Sequence, residues 1–184
     1  MTIGHRAVIE AGPATIRRRC CGSVESAAAA AALEWIDDPV GLVDGQPVSV
    51  PGLLRDVLSC PLPVESVELI HPSWWPARRV AVLAAATRGL AGEVVTRSRA
   101  AVLAAVSHAA VVVEIAAGLV AITGDGGADV VAEPRIGAPE QVADAAVRRI
   151  RAAVRGHLGA VVIDAPAGNG GAGALAGLIE ERLR

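Results

Sequence analysis

The chain has 184 residues, a length typical of one compact domain and at most of two small ones. It contains no Lys, Tyr or Phe, so all 17 basic residues are Arg. This composition excludes mechanisms that require a phosphate-loop lysine or a lysine Schiff base. Three Trp residues do not suffice for a base-stacking surface, and a net charge of -2 gives no electrostatic reason to expect nucleic acid as a partner.

The apolar stretches of the chain are too short for a membrane span, which needs roughly 18 residues. Arg79, Arg88, His108 and Glu114 interrupt the longest of them, and the first residues lack the apolar run of a signal peptide. We therefore expect a soluble, cytoplasmic protein.

The three cysteines fit neither a disulfide framework nor a zinc motif by their spacing. Cys20 and Cys21 are adjacent and have no histidine near them in the sequence, which favours buried or idle thiols. We assign no metal ligand and no catalytic residue from the sequence.

Turn residues and apolar periodicity divide the N-terminal half into short elements. The pattern predicts, in chain order, a hairpin over 6–19 turning at Gly12-Pro13, a helix from the cap residue Ser26 to Ile36, a hairpin over 40–50, and a helix from Pro51 to about Leu58.

The second half alternates strands and helices more regularly. The pattern predicts a strand over 67–70, a helix over 74–89 capped by Ser73, a strand over 93–96, a helix over 97–107, strands over 110–116, 119–123 and 129–133, a helix over 139–156, a strand over 160–164 and a helix over 174–183. The strand over 110–116 is rich enough in Val and Ile to be buried on both faces. We predict an α/β fold with a mixed sheet in a single domain over 1–184, without an internal repeat.

Three acidic residues at strand ends are each followed by glycine. They are Glu10 before Gly12, Glu114 before Gly118, and Asp164 before the loop that contains Gly168, Gly170 and Gly171. A carboxylate in such a position can hold a metal ion or water, and a glycine backbone can approach a phosphate closely.

The order of these turns resembles the actin-like ATPase fold, a ribonuclease-H-like fold, and in particular the first lobe of the DnaK-type chaperones. The segments AVIEAGPATIRR and AAVVVEIAAGLVAITG are similar to the two phosphate hairpins of that family, and AVVIDAPAGNGGAGALAGLIEERL is similar to its adenosine strand, loop and helix. More narrowly, the order IDDPVGLVDGQPVSV, HPSWW, VVVEIA and GAPE resembles the actinobacterial type VII secretion-associated proteins.

The resemblance implies a nucleotide site, with ATP and magnesium as its ligands. The implied cofactor-binding residues are Glu10, Gly12, Thr15, Glu114, Gly118, Gly168, Gly170 and Gly171. The chain departs from the family where Glu10 and Glu114 stand for aspartates, Pro13 lacks a backbone N–H, and Ala116 and Ala117 stand for glycines. Glu is one methylene longer than Asp, which displaces the carboxylate by about 1 Å, and the chemistry of such a site tolerates little misplacement.

These departures favour a non-catalytic interaction or scaffold module of a type VII secretion-associated protein, with no cofactor and a degenerate ATPase fold. One alternative is an ATP-binding enzyme or switch, which would be an ATPase. Another is a homo-oligomeric structural protein, such as a homodimer, in which Ala-rich helices pack against a second copy.

The adjacent Trp74 and Trp75 are the residues that we expect to contact a protein partner, for example a component of the secretion system. Neighbouring positions of a helix lie about 100° apart around its axis, so the two rings cannot easily both point into the core from the apolar face of the predicted helix. At least one ring should lie at the edge of that face.

Overall fold

A computed structural model of the chain describes residues 5–20, 22–24, 27–124, 129–154 and 159–184. The strands in these ranges are β1 (His5–Ala11), β2 (Ile16–Arg18), β3 (Gly22–Val24), β4 (Val40–Val43), β5 (Gln46–Ser49), β6 (Val64–His71), β7 (Glu93–Ser98), β8 (Val111–Ile115), β9 (Leu119–Thr123), β10 (Val130–Pro134) and β11 (Val161–Asp164). The helices are α1 (Ala27–Glu34), α2 (Val50–Leu58), α3 (Ala77–Thr87), α4 (Arg99–Ser107), α5 (Pro139–Val154) and α6 (Ala172–Leu183). None of these helices is long and apolar enough to cross a membrane.

The chain divides into two compact units, Met1–Arg97 and Ser98–Arg184. Unit 1 contains a five-stranded sheet in the order β3-β2-β1-β6-β7. Strands β1, β2 and β3 form an antiparallel meander, and β6 lies parallel to β1. Ala7, Ile9 and Ala11 are buried in one core, because alternate residues of a strand point to the same face.

Helix α2 begins where local chemistry stabilises its first turn. The Ser49 hydroxyl caps α2 by accepting a hydrogen bond from the Gly52 N–H at 3.3 Å, and Pro51 lies in the first turn, as predicted. Helix α3, in contrast, begins at Ala77, and the expected start at 74 with a Ser73 cap was wrong. Pro76 is extended and disfavours a helical conformation in the residue before it, so the helix begins after the proline.

Unit 2 contains a four-stranded sheet in the order β10-β9-β8-β11. Strands β8, β9 and β10 form an antiparallel meander, and β11 lies parallel to β8. All five residues of β8 are buried, which confirms the prediction for this strand. Its odd-numbered residues pack with α5 and α6 in a core of small aliphatic side chains: Val111, Val113, Ile115, Val142, Ala143, Ala146, Val147, Ile150, Ala172, Leu175, Ala176 and Ile179.

The two units repeat one strand order. In each, a three-stranded antiparallel meander is followed by a helix and then by a strand that pairs in parallel with the first strand of the meander. Unit 1 differs by the hairpin β4–β5 and helix α2, which come before its parallel strand β6, and by the fifth strand β7 of its sheet. The predicted α/β class, with mixed sheets and flanking helices, is confirmed.

The remaining predicted elements lie within about three residues of their observed bounds. Strand β3 was not predicted. The predicted cap Ser26 and the predicted end of the helix at 155–156 lie outside the described residues.

Candidate functional site

Two of the three predicted acidic residues are neighbours in unit 2. Glu114 of β8 is the register partner of Asp164 of β11, near the carboxyl ends of two parallel strands. Partners in adjacent strands point to the same face of a sheet, and here that face is opposite to the one on which Val113 and Ile115 pack with α5 and α6. Glu114 is only 1% exposed, so this carboxyl lies in the protein interior.

Asp164 is held by an arginine. The Arg99 Nε lies 2.5 Å from Asp164 Oδ2, and Arg99 Nη2 donates to Oδ1 at 3.2 Å, so the guanidinium engages both carboxylate oxygens. Arg99 is the first residue of α4. Both side chains are partly buried, and a two-point pair of this kind fixes the carboxylate in position as well as balancing its charge.

A second arginine connects the turn after β8 with the glycine loop before α6. Arg135 Nη1 donates to the Ala116 carbonyl at 2.6 Å, and Nη2 donates to the Gly170 carbonyl at 2.9 Å. The Arg135 backbone N–H also donates to the Gly118 carbonyl at 3.0 Å. Asn169 supplies a further link, because its Nδ2 donates to the Ile115 carbonyl at 2.8 Å. The structure therefore brings the predicted second hairpin and the predicted glycine loop together within unit 2.

The glycines of this region are of two kinds. Gly171 has φ of +70° and precedes α6, a conformation that L side chains rarely adopt. A Cβ at Gly118, Gly168 or Gly170 would meet no atom within 4 Å, so in the protein these three glycines are not required by close packing.

The first predicted turn lies in unit 1. Glu10 is buried near the end of β1, and its Oε2 accepts a hydrogen bond from Arg19 Nη2 at 2.9 Å. Its neighbour in the parallel strand β6 is Ile70, where unit 2 has an acidic residue in the corresponding position. The Gly12 N–H donates to the Thr15 carbonyl at 2.7 Å, and a Cβ on Gly12 would lie 2.8 Å from Thr15 Oγ1, so a larger residue here would displace the Thr15 hydroxyl.

The two tryptophans differ in burial. Trp75 is 7% exposed and belongs to the core of unit 1, with the Arg79 guanidinium 5.4 Å from its ring centroid. Trp74 is half-buried at the edge of the same core. Both lie before α3 rather than inside it, so the helical spacing on which the prediction relied does not apply to them. The accessible part of the pair is Trp74.

The cysteines have neighbours that the sequence does not reveal. Cys20 Sγ lies 3.7 Å from Cys60 Sγ, and Cys60 Sγ lies 3.5 Å from His5 Nε2. A hydrogen bond with Cys20 raises the pKa of His5, aided by its hydrogen bond to the Pro63 carbonyl and opposed by burial. The expectation of a buried thiol is wrong for Cys20, which is exposed, while Cys21 lies outside the described residues.

Sequence reasoning missed Arg99, Arg135 and Asn169. The only signal for them was the position of Asn169 inside the glycine loop, since Arg99 lies 65 residues from its partner and Arg135 lies 19 and 35 residues from its two side-chain acceptors.

Comparison with known proteins gives no match to a family model and no match among curated proteins. Two solved structures are similar in fold. One is described as a MamK double helical filament, with 15% identity and a TM-score of 0.44, and the alignment covers 83% of this chain and 60% of that one. The other is the ethanolamine utilization protein EutJ from Carboxydothermus hydrogenoformans, with 15% identity and a TM-score of 0.37, covering 82% of this chain and 59% of that one.

Both likenesses are distant, at 15% identity. This chain spans about three fifths of the length of each. Its own strand order, a meander extended by a parallel strand, agrees with the ribonuclease-H-like mixed sheet expected from the sequence.

Proposed function

We propose that the chain is a non-catalytic interaction or scaffold module whose actin-like nucleotide site is degenerate. The observation that carries this proposal is the engagement of two predicted acidic groups by arginine, Glu10 by Arg19 and Asp164 by Arg99. A carboxylate in a hydrogen-bonded ion pair has fewer lone pairs to offer to a hydrated magnesium ion, and the pair must be broken or shared before the metal can use them.

The backbone donors at the two predicted phosphate turns support the same proposal. The Gly12 N–H donates to Thr15 within the first turn, Pro13 has no N–H, and the Ala116 N–H donates to the Leu119 carbonyl at 2.9 Å. A phosphate needs N–H groups that point towards it and are not already used. Arg135 moreover donates to carbonyl groups of this region and thereby holds the turn after β8 against the glycine loop.

The partner that we propose is another protein. From the resemblance to type VII secretion-associated proteins, we propose that this partner is a component of that secretion system. On this chain, Trp74 is the residue that would contact it. Self-association into a homodimer or larger assembly is the alternative. Sedimentation velocity of the purified chain with and without the candidate partner distinguishes the two, since a Trp74→Ala variant should lose the heterologous complex if this ring contacts the partner.

A nucleotide-binding switch is the second candidate, and the neighbouring carboxyls of Glu114 and Asp164 favour it. The glycine loop follows directly and leads into the N-terminus of α6, where backbone N–H groups favour an anion. In this alternative the site retains ATP and magnesium without the geometry for hydrolysis.

Calorimetric titration with ATP and ADP in the presence of magnesium tests the proposal. We expect no binding at millimolar nucleotide. Micromolar binding that is lost in Glu114→Gln and kept in Glu133→Gln would overturn it and support the switch. Glu133 is a suitable control because it is the same residue type, in the same unit, in an ion pair with Arg149 at the surface.

A further inference from the structure

Three metal-ligating side chains meet in unit 1, apart from the predicted nucleotide residues. They are His5, Cys20 and Cys60, and one ligand atom from each lies within 4.8 Å of the other two. His5 begins β1 and Glu10 lies near its end, so the group is separated from the first predicted phosphate turn by about 16 Å of extended strand.

Two of the three separations match the edges of a tetrahedral zinc site, and the third, between Cys20 and His5, is within 4.8 Å. With Zn–S of about 2.3 Å and Zn–N of about 2.05 Å, tetrahedral geometry places two sulfurs about 3.8 Å apart and a sulfur and a nitrogen about 3.5 Å apart. The observed Cys20 Sγ to Cys60 Sγ distance is 3.7 Å, and the Cys60 Sγ to His5 Nε2 distance is 3.5 Å.

The histidine is oriented for this role by a backbone carbonyl. His5 Nδ1 lies 2.9 Å from the Pro63 carbonyl oxygen, which can only accept a hydrogen bond, so Nδ1 carries a proton and in the neutral ring Nε2 has the lone pair. Metal-bound histidines are commonly held in this way by a carbonyl on the other ring nitrogen. The His5 backbone N–H donates to the same carbonyl at 3.2 Å, which fixes the residue further.

The two cysteines are also held by regular structure. Cys20 follows Arg19, whose backbone N–H donates to the Val8 carbonyl at 2.9 Å. Cys60 follows Ser59, the C-cap of α2, whose N–H donates to carbonyls of the last turn of that helix. The three ligands therefore come from three separate segments, each fixed by backbone hydrogen bonds.

We propose that His5, Cys20 and Cys60 form a binding site for a zinc ion, with water as the fourth ligand. Two thiolates and an imidazole are a donor set that selects zinc over magnesium or calcium. Cys20 is exposed, which leaves solvent access for the water. The ion ties the start of β1 and the end of β2 to the connection between α2 and β6, so it stabilises unit 1.

Metal analysis of the purified, reduced full-length chain tests this proposal. We expect an equimolar amount of zinc to bind, and Co²⁺ in its place to give the visible bands of tetrahedral coordination and a thiolate-to-cobalt charge-transfer band. We also expect zinc to raise the thermal unfolding midpoint of the chain, because it binds the folded state.

Variants define the ligand set. Cys60→Ser and His5→Ala should each weaken zinc binding by about 100-fold, since even loss of a group that only supports a ligand weakens metal binding 10- to 100-fold. His71→Gln is the control and should leave zinc affinity unchanged.

Two results would overturn the proposal. One is failure of the reduced wild-type chain to bind zinc, with or without a Cys20–Cys60 disulfide before reduction, and the other is an equal loss of affinity in His71→Gln and His5→Ala. Thermal unfolding of Cys60→Ser without metal shows whether the variant folds, so that loss of binding is not confused with unfolding.

Discussion

At the scale of single residues, Arg135 is the side chain on which the conformation of the candidate site depends. Its guanidinium donates to carbonyls in two loops that are separated by more than 50 residues of chain, since Ala116 and Gly170 lie on either side of α5 and β11. A planar guanidinium presents several donors in a fixed fork, which a lysine ammonium does not reproduce.

We predict that Arg135→Ala lowers the free energy of unfolding of unit 2 by about 1–3 kcal/mol, because hydrogen bonds from a charged donor are lost. Arg135→Lys should retain only part of the stability that Arg135→Ala loses. Urea unfolding followed by circular dichroism measures the change. Arg149→Ala is the control, because Arg149 makes an exposed ion pair whose loss costs about 0–1 kcal/mol. Equal effects of the Arg135→Ala and Arg149→Ala changes would contradict the role given to Arg135.

Single residues also show how far sequence reasoning reaches. Glu114 and Asp164 could be placed at strand ends, and their adjacency follows from the parallel pairing of two strands. The arginine at Asp164 could not be predicted, because any of the 17 arginines could fill that place and only the packing of α4 selects Arg99. Nor could the cysteine and histidine cluster, since its members are 15 and 40 residues apart along the chain.

At the scale of elements, the hairpin β4–β5 packs against the end of α1 through a glycine. A Cβ on Gly41 would lie 2.6 Å from Trp35 Cγ, closer than carbon atoms can approach, so either the ring or the strand would have to move. Gly41 is buried, and its position on β4 is thus set by the tryptophan.

We predict that Gly41→Ala destabilises unit 1 by about 1–3 kcal/mol, the usual cost of overpacking. Chemical unfolding followed by tryptophan fluorescence measures it, and a shifted emission maximum in the folded state would report the displaced Trp35 ring. Gly89→Ala serves as the control, because a Cβ there meets nothing within 4 Å. A loss as large at Gly89 as at Gly41 would show that backbone freedom, and not the tryptophan, is responsible.

The connection between α1 and α3 has an electrostatic component. The hydrogen bond from Arg79 lowers the pKa of Asp37 from its ordinary value of 3.8, burial opposes this effect, and the charges of Arg79 and Arg78 add to the lowering. Because the pKa is lower in the folded state, the ion pair stabilises the protein when Asp37 is ionised in both states. That contribution is complete above about pH 5 and is lost as the pH falls through the folded-state pKa, below 3.8.

We therefore predict that Asp37→Asn lowers the free energy of unfolding by up to about 1 kcal/mol at neutral pH, the range of exposed ion pairs. The difference from wild type should disappear in the acid range. Thermal unfolding across a pH series measures it. Asp38→Asn removes the same charge at the adjacent exposed position and should have a smaller effect; a difference at Asp37 that persists in acid would argue against the ion pair as its cause.

Helices and strands were predicted well where turn residues or a pattern of apolar residues marked them. The turn at Gly12-Pro13 and the Val and Ile residues of β8 led to elements that the structure confirms. The start of α3 was misplaced because Ser73 is a good cap residue in composition, whereas Pro76 decides the conformation. Strand β3 has only three residues, too few to show an alternating pattern.

At the scale of the whole molecule, the two units have separate hydrophobic cores. All three tryptophans, Trp35, Trp74 and Trp75, lie in unit 1. Tryptophan fluorescence therefore reports the unfolding of unit 1, while far-ultraviolet circular dichroism reports both units.

We predict that Ile150→Ala, a cavity-forming change in the core of unit 2, lowers the stability of that unit by about 2–5 kcal/mol. The circular dichroism transition should shift or split, and the fluorescence midpoint should stay in place. Leu83→Ala in the core of unit 1 is the control and should shift the fluorescence midpoint. That residues 1–184 form a single domain stays a prediction. If Ile150→Ala shifted the fluorescence and circular dichroism midpoints together, the two units would unfold as one domain and not separately.

The repeated strand order was invisible in the sequence because the equivalent residues differ in chemistry. The position of Asp164 in unit 2 corresponds to Ile70 in unit 1, and the helix-to-strand connection of unit 1 contains an additional hairpin and helix. Topology is set by the order and direction of strands, which many different sequences satisfy.

The repeated strand order also separates what the topology needs from what is particular to one unit. The neighbouring acidic pair is present in unit 2 only. The segment from β4 to α2 is present in unit 1 only, and its Val40 and Leu42 are exposed. A strand can therefore pair in parallel with the first strand of the meander without this segment.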